Sequence, residues 1–149
     1  MGLFGFFKKN NDEEISKQLE NEKELLRFKK YQTSKKKQFK LFPKQIKELR
    51  MIGISTNDEL KLQGIFYTLT KDRADSLVQV LKISYGYVES QISKQGDVFV
   101  ICGWTPKMKM EESVLEEWVL DMCDISLIYE CDFKGWATTL NPKIEFPPS

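Results

Sequence analysis

A chain of 149 residues is long enough for one domain of ordinary size and an extension. Its composition, 41% hydrophobic and 30% charged, is close to the average of globular proteins. The absence of histidine excludes Ser-His and Cys-His catalysis and histidine-ligated metal sites. Three dispersed cysteines cannot complete a zinc site of four thiolates, and they predict reduced thiols in the cytoplasm. We therefore expect no cofactor, no metal and no enzymatic activity.

The net charge of +1 conceals an uneven distribution of charge along the chain. The segment Lys23–Arg50 holds eleven Lys or Arg and two Glu, whereas Met110–Phe133 holds eight Asp or Glu and no Lys or Arg. Such asymmetry favours an interaction protein, or oligomer formation between the basic arm and the acidic face. Two solvated surfaces without a partner would produce the same pattern.

The chain begins with an apolar segment, Met1–Lys9, which is too short for a signal peptide. It would either contact a membrane surface or a partner, or remain a frayed terminus. No run approaches the roughly 18 apolar residues that a membrane span requires, so we expect no transmembrane segment. Asn10–Phe28 is predicted to be a helix, with a narrow apolar stripe formed by Ile15, Leu19 and Leu26.

The segment Lys29–Lys40 is basic and contains the aromatic residues Tyr31 and Phe39. Basic residues interleaved with aromatic ones can bind nucleic acid, although a solvated linker is an equal alternative. The lysines that would contact nucleic acid are Lys29, Lys30, Lys35, Lys36 and Lys37. Pro43 suits the first turn of a short helix that Gly53 ends. Residues 1–54 are thus predicted to be a basic, helical extension.

From residue 55 onward, regular secondary structure is predicted. The predicted elements are a strand over Leu60–Leu69, a helix from Thr70 to Gly86, strands over Tyr87–Ile92 and Val98–Cys102, a helix after Lys107–Glu112, and a last strand over Tyr129–Phe133. The order β-α-β-β-α-β predicts an α+β fold of the ferredoxin-like type. It implies a four-stranded antiparallel sheet in the order 4-1-3-2, with two helices on one face. We expect an N-terminal helix, Lys44–Ile52, to cover the other face or an edge.

Carboxylates and tryptophans are the candidate binding residues. On the second helix, Glu112, Glu116, Glu117 and Asp121 recur at three- to five-residue spacing, which suits either an acidic docking surface for a basic protein segment or a solvated face. Trp118 belongs to the predicted apolar stripe of that helix. Trp104 and Trp136 are predicted to follow strand ends, half-exposed, where either would anchor a partner.

The run Asp58–Thr138 resembles the RraB family, the B-type regulators of ribonuclease E activity. The resemblance depends on an aromatic-rich first strand, on Gly96-Asp97 before an apolar strand, and on the segment Tyr129–Thr138. The family's last strand ends in an acidic-aromatic-acidic-Gly-Trp-Gly-Thr type of motif. The residues that correspond to it are Phe133, Gly135, Trp136 and Thr138, while Lys134 and Ala137 replace an acidic residue and a glycine.

The resemblance implies a ferredoxin-like domain over residues 55–141 and no catalytic activity. The family's founding type is strongly acidic with an acidic tail, whereas this chain is near neutral and ends in a short Pro-rich tail over 142–149. It implies a cytoplasmic bacterial regulator that binds a ribonuclease, or its scaffold region, and modulates RNA processing. The surface for that partner would combine the acidic helix with Asp132, Gly135 and Trp136. Two alternatives are an adaptor that binds nucleic acid or a membrane surface through the basic arm, and an immunity-type inhibitor of a toxin. A third is an enzyme, which a deep pocket lined by two carboxylates with perturbed pKa values would indicate.

Overall fold

A computed structural model describes the backbone of residues 2–138 and the side chains of residues 12–138. The side chains of the apolar segment Met1–Lys9 and the predicted tail 142–149 lie outside these described residues. The described elements, in chain order, are α1 (Gly2–Met51), β1 (Glu59–Leu60), β2 (Leu62–Thr68), α2 (Lys71–Tyr85), β3 (Glu89–Gln95), β4 (Val98–Trp104), β5 (Met108–Lys109), α3 (Glu112–Ile128) and β6 (Asp132–Thr138).

The main sheet has four antiparallel strands in the order β3-β4-β2-β6. This is the predicted ferredoxin-like order, because β2, β3, β4 and β6 are the first to fourth strands of the βαββαβ unit. The two most apolar strands form the central pair, in which Phe66 lies opposite Ile101. A separate two-stranded pairing of β1 with β5 was not predicted from the sequence.

Helix α2 begins and ends where the sequence indicates. The side chain of Thr70 accepts a hydrogen bond from the backbone N–H of Arg73, which makes Thr70 the N-cap. At the other end Gly86 has φ = 66°, and its N–H donates to the carbonyl of Leu81. This left-handed conformation favours glycine, so the sequence alone was enough to place the end of the helix.

Helix α1 is a single helix, which corrects the prediction of two helices joined by a linker. Between Asn10 and Pro43 there is no glycine and no other proline, and Pro43 lies inside the helix with its ring exposed. Proline removes one backbone hydrogen bond at this point. The helix continues because Phe42, Ile46 and Leu49, on both sides of the proline, are buried in the core.

The second half of α1 packs against α3 and along the edge strand β6. Of the two predicted positions for an N-terminal helix, the other sheet face or an edge, the edge is therefore the one observed. The first half of α1 extends beyond this packing, and its apolar side chains Ile15, Leu19 and Leu26 are at least half exposed. On the sheet face opposite α2 and α3, Ile65 and Val100 are nevertheless buried.

Candidate interaction surfaces

The basic arm folds back on the acidic segment of its own molecule. Arg27 pairs with Glu130, Lys30 pairs with Asp132 at 2.9 Å, and Lys35 lies 3.4 Å from Asp124. The hydroxyl of Tyr31 also donates to the carboxylate of Asp124. These contacts require Arg27, Lys30, Tyr31 and Lys35 to share one side of a continuous helix, at spacings of three and four residues. The sequence prediction missed them because it interrupted the helix in this region.

Glu130 is the centre of a charge cluster that joins α1, α2 and the turn before β6. Its carboxylate also accepts from Arg73 of α2, so two guanidinium groups share one acid. Its backbone has φ = 54°, an uncommon conformation for a residue other than glycine. The hydroxyl of Thr68 donates to its carbonyl oxygen at 3.2 Å, which helps to hold that turn. The cluster lies in a cleft of about 610 Å³ between α1, the end of β2 and the turn before β6.

Four carboxylates of α3 remain outside this network. We call Glu112, Glu116, Glu117 and Asp121 the acidic ridge. Among residues 12–138, whose side chains are described, no ion pair joins any member of the ridge. The first three members are exposed, and Asp121 is half-buried. Desolvation raises the pKa of Asp121, and the neighbouring carboxylates of Glu117 and Asp124 raise it further.

Trp136 is a core residue, which corrects the prediction of a half-exposed anchor after a strand end. It lies within β6 and is 3% exposed. The register of β6 against β2 shifts between Ile65 and Phe66, so that Lys134 is an extra residue between Phe133 and Gly135. Simple alternation would place Phe133 and Trp136 on opposite faces. The bulge turns both toward the helices, and the sequence alternation ending at Phe133 gave no indication of it.

The remaining predicted residues are divided between several places. Gly135 follows the bulge with φ = 152°. Trp104 is the last residue of β4, and it is half-buried on the sheet face opposite the helices. Asp132 is bound by Lys30. The predicted protein-binding set is therefore not one surface: only the acidic ridge forms a continuous group on one element.

The predicted nucleic-acid set also divides. Lys30 and Lys35 point to α3 and β6 and are paired there. Lys29, Lys36 and Lys37 are exposed on the other side of α1. No ion pair reaches these three within the described part of the chain.

The cysteines are structural in character. Cys123 and Cys131 are buried, and burial raises the pKa of each thiol to about 11. Burial also raises the pKa of the half-buried Cys102. In the described residues, no group of three or more Cys, Asp or Glu is placed to hold a metal ion. Within the same residues, no helix has both the length and the apolar character needed to cross a membrane.

No protein-family model matches the chain, and no curated protein matches it either. The molecule has an α+β fold of ferredoxin-like order with an N-terminal helix. Its function is therefore inferred from this class of fold and from the surfaces described above.

Proposed function

We propose that this protein is a non-enzymatic regulator that binds a basic segment of another protein through the acidic ridge. The proposal depends on which carboxylates pair with cations of α1 and which do not. Asp124, Glu130 and Asp132 are neutralised within the molecule, whereas the ridge is left without an internal cation in the described residues.

The ridge is electrostatically unfavourable in the free protein. Glu117 and Asp121 are four residues apart on a helix, and like charges at that spacing destabilise it by about 0.2–0.5 kcal/mol. A lysine or arginine from a partner would relieve this repulsion. The ridge thus favours a basic partner, and complementary charge accelerates association with that partner and excludes acidic ones.

The resemblance to RraB regulators supports a more specific form of this proposal. The partner would be a ribonuclease or its scaffold region, and binding in the cytoplasm would modulate RNA processing. In this proposal the segment Tyr129–Thr138, on which the resemblance depends, supports the domain rather than contacting the partner. Trp136 belongs to the core, and Asp132 is bound by Lys30.

Affinity capture from a native cell extract tests the proposal. The bait proteins are the full chain, the ridge variant Glu116→Lys/Glu117→Lys, and a control variant with the same charge change, Glu89→Lys/Asp97→Lys. Glu89 in β3 and Asp97 in the turn after it are exposed at the edge of the main sheet opposite β6, the strand against which α3 packs. A captured ribonuclease or scaffold protein is then purified, and its affinity for each variant is measured at two salt concentrations.

We expect the partner to bind the full chain and the control variant, and to lose at least about tenfold in affinity for the ridge variant. The salt dependence of binding should fall in parallel, because fewer charges meet at the interface. Equal affinity and equal salt dependence for the ridge and control variants would show that the ridge is not the binding surface.

A further inference from the structure

The side of α1 turned away from α3 carries a second charged surface. Its exposed lysines, which we call the lysine stripe, are Lys29, Lys36, Lys37, Lys40, Lys44 and Lys47. The first and last of them are 18 residues apart on a continuous helix, or about 27 Å at the usual rise per residue. No ion pair to any of them is present in the described part of the protein. Their charge is therefore available to a polyanion.

An aromatic groove adjoins the stripe. It is a shallow groove of about 510 Å³, and its lining residues are Phe28, Tyr31, Gln32, Lys35, Lys36 and Phe39. Phe28 is 44% exposed, and its ring centroid lies 5.8 Å from that of Tyr31. Lys36 belongs to both the groove and the lysine stripe, so aromatic rings and cations are neighbours on one helical surface.

The structure assigns this surface to a single-stranded nucleic acid, with phosphates on the lysine stripe and bases stacked on Phe28 and Phe39. Cations that follow a backbone beside aromatic rings that stack on bases are the general means of binding single strands without sequence preference. The inference goes beyond the proposed regulatory function, since it concerns a different element and does not use the acidic ridge.

Contacts within the protein hold this surface facing the solvent. The pairing of Tyr31 and Lys35 with Asp124 fixes the rotation of α1 about its axis, so the stripe faces outward. Lys35 also neutralises Asp124, the α3 carboxylate that Tyr31 of the groove contacts. A phosphate approaching the stripe therefore meets cations on a packed helix, and the charge of Asp124 is already compensated.

A bilayer is a weaker fit for the same lysines. A helix that lies on a membrane needs a broad apolar face beside its basic residues. In this half of α1, Phe42, Ile46 and Leu49 are buried in the core, and Leu41 is 38% exposed, which is too little to form a broad apolar face. The aromatic groove beside the stripe contains Gln32, which suits stacking and hydrogen bonding to bases.

The inference is tested by measuring the affinity of the protein for a labelled single-stranded RNA by fluorescence anisotropy. The RNA is an oligouridine of about 15 nucleotides, a length within the usual range of site sizes. The full chain is compared with Lys36→Glu/Lys37→Glu/Lys40→Glu and with the charge-matched control Lys61→Glu/Lys82→Glu/Lys107→Glu. We expect the stripe variant to lose roughly tenfold or more in affinity, and its salt slope to fall by about 2. The control variant should keep most of the affinity.

Stacking is tested separately at Phe28, whose exposure makes its substitution compatible with folding. Phe28→Ala should weaken binding roughly tenfold, whereas Phe28→Tyr should retain it, because tyrosine also stacks on bases. Duplex RNA of the same length should bind more weakly than the single strand. Circular dichroism of each variant verifies that the helix content is unchanged.

Three outcomes would overturn the inference. The first is no binding of the single strand at low salt. The second is an equal loss of affinity in the stripe variant and the control. The third is binding to phosphatidylserine vesicles but not to RNA, which would assign the stripe to a membrane surface instead. Equal affinity for single-stranded and duplex RNA would remove the stacking role of Phe28.

Discussion

The indole ring of Trp136 in β6 meets that of Trp118 in α3 edge to face, with ring centroids 6.2 Å apart and an interplanar angle of 85°. Phe133 makes a second T-shaped contact with Trp118, at 6.0 Å. Aromatic pairs in this geometry contribute about 0.5–1.5 kcal/mol beyond their burial. The Gly-Trp motif of the last strand therefore joins the sheet to α3, through a bulge that turns Trp136 inward.

Replacement of Trp136 should destabilise the fold. We expect Trp136→Ala to lower the free energy of unfolding by about 3–5 kcal/mol, the usual cost of truncating a buried tryptophan. Trp136→Phe should cost less, because part of the ring contact remains. Urea unfolding followed by circular dichroism measures both. Trp136→Ala with wild-type stability but no partner binding would contradict the core assignment and restore Trp136 as an anchor.

Glu130 should couple two helices to the turn before β6. Its partners Arg27 and Arg73 are each 41% exposed at the side chain, and Glu130 is 35% exposed, so solvent screens both pairs. Double-mutant cycles that combine Glu130→Gln with Arg27→Met or Arg73→Met should give coupling energies of about 0.2–1 kcal/mol per pair. The coupling should shrink in high salt. A salt-independent coupling would indicate packing of the arginine stems instead.

Neutralising Asp121 should stabilise the free protein at neutral pH. Because the folded-state pKa of this carboxyl is raised, the protonated form favours folding, and that contribution is lost as the pH rises through the folded pKa. Asp121→Asn should therefore raise the free energy of unfolding at pH 7 by about 0.2–0.5 kcal/mol, as expected for relief of a like-charge pair on a helix.

The pH dependence supplies the control for Asp121→Asn. Below the unfolded-state pKa of aspartate, about 3.9, the wild-type carboxyl is protonated in both states, and the difference in stability should disappear. A constant difference between pH 3 and pH 7 would show that the asparagine acts through packing. If the ridge binds a basic segment, the same variant should weaken that binding while stabilising the free protein.

A side chain at Gly103 should destabilise the fold. A Cβ atom at this position would lie 2.6 Å from the ring of Tyr87 and 2.9 Å from the hydroxyl of Ser90. The Tyr87 ring cannot move easily, because it is 5% exposed and its hydroxyl lies 3.1 Å from the sulfur of Met122. Gly103→Ala should lower the free energy of unfolding by about 1–3 kcal/mol.

A second substitution identifies the cause of the Gly103 effect. Tyr87→Leu removes the clashing ring, so adding Gly103→Ala to Tyr87→Leu should cost much less than adding it to the wild type. Additive losses in the double variant would show that the cost of Gly103→Ala does not come from the Tyr87 ring.

The order of the domain's elements was predictable because it depends on local chemistry. Thr70 and Gly86 end a helix through hydrogen bonds and backbone conformation within a few residues of themselves. The apolar runs of β2 and β4 indicated central strands, and the structure confirms this. Two of the missed features have opposite causes. Pro43 suggested that a separate helix begins there, and tertiary packing keeps α1 continuous instead. The bulge at Lys134 produces no recognisable change in the alternation of the sequence.

The βαββαβ order, the basic arm and the acidic segment were all predictable from the sequence, since residue type and periodicity are local properties. Which charges remain available depends on how the chain folds. Lys35 and Asp124 are 89 residues apart in sequence, and Arg27 and Glu130 are 103 apart. Whether such charges cancel depends on distances that folding creates. The fold compensates one side of α1 and leaves two surfaces of opposite sign, the acidic ridge and the lysine stripe.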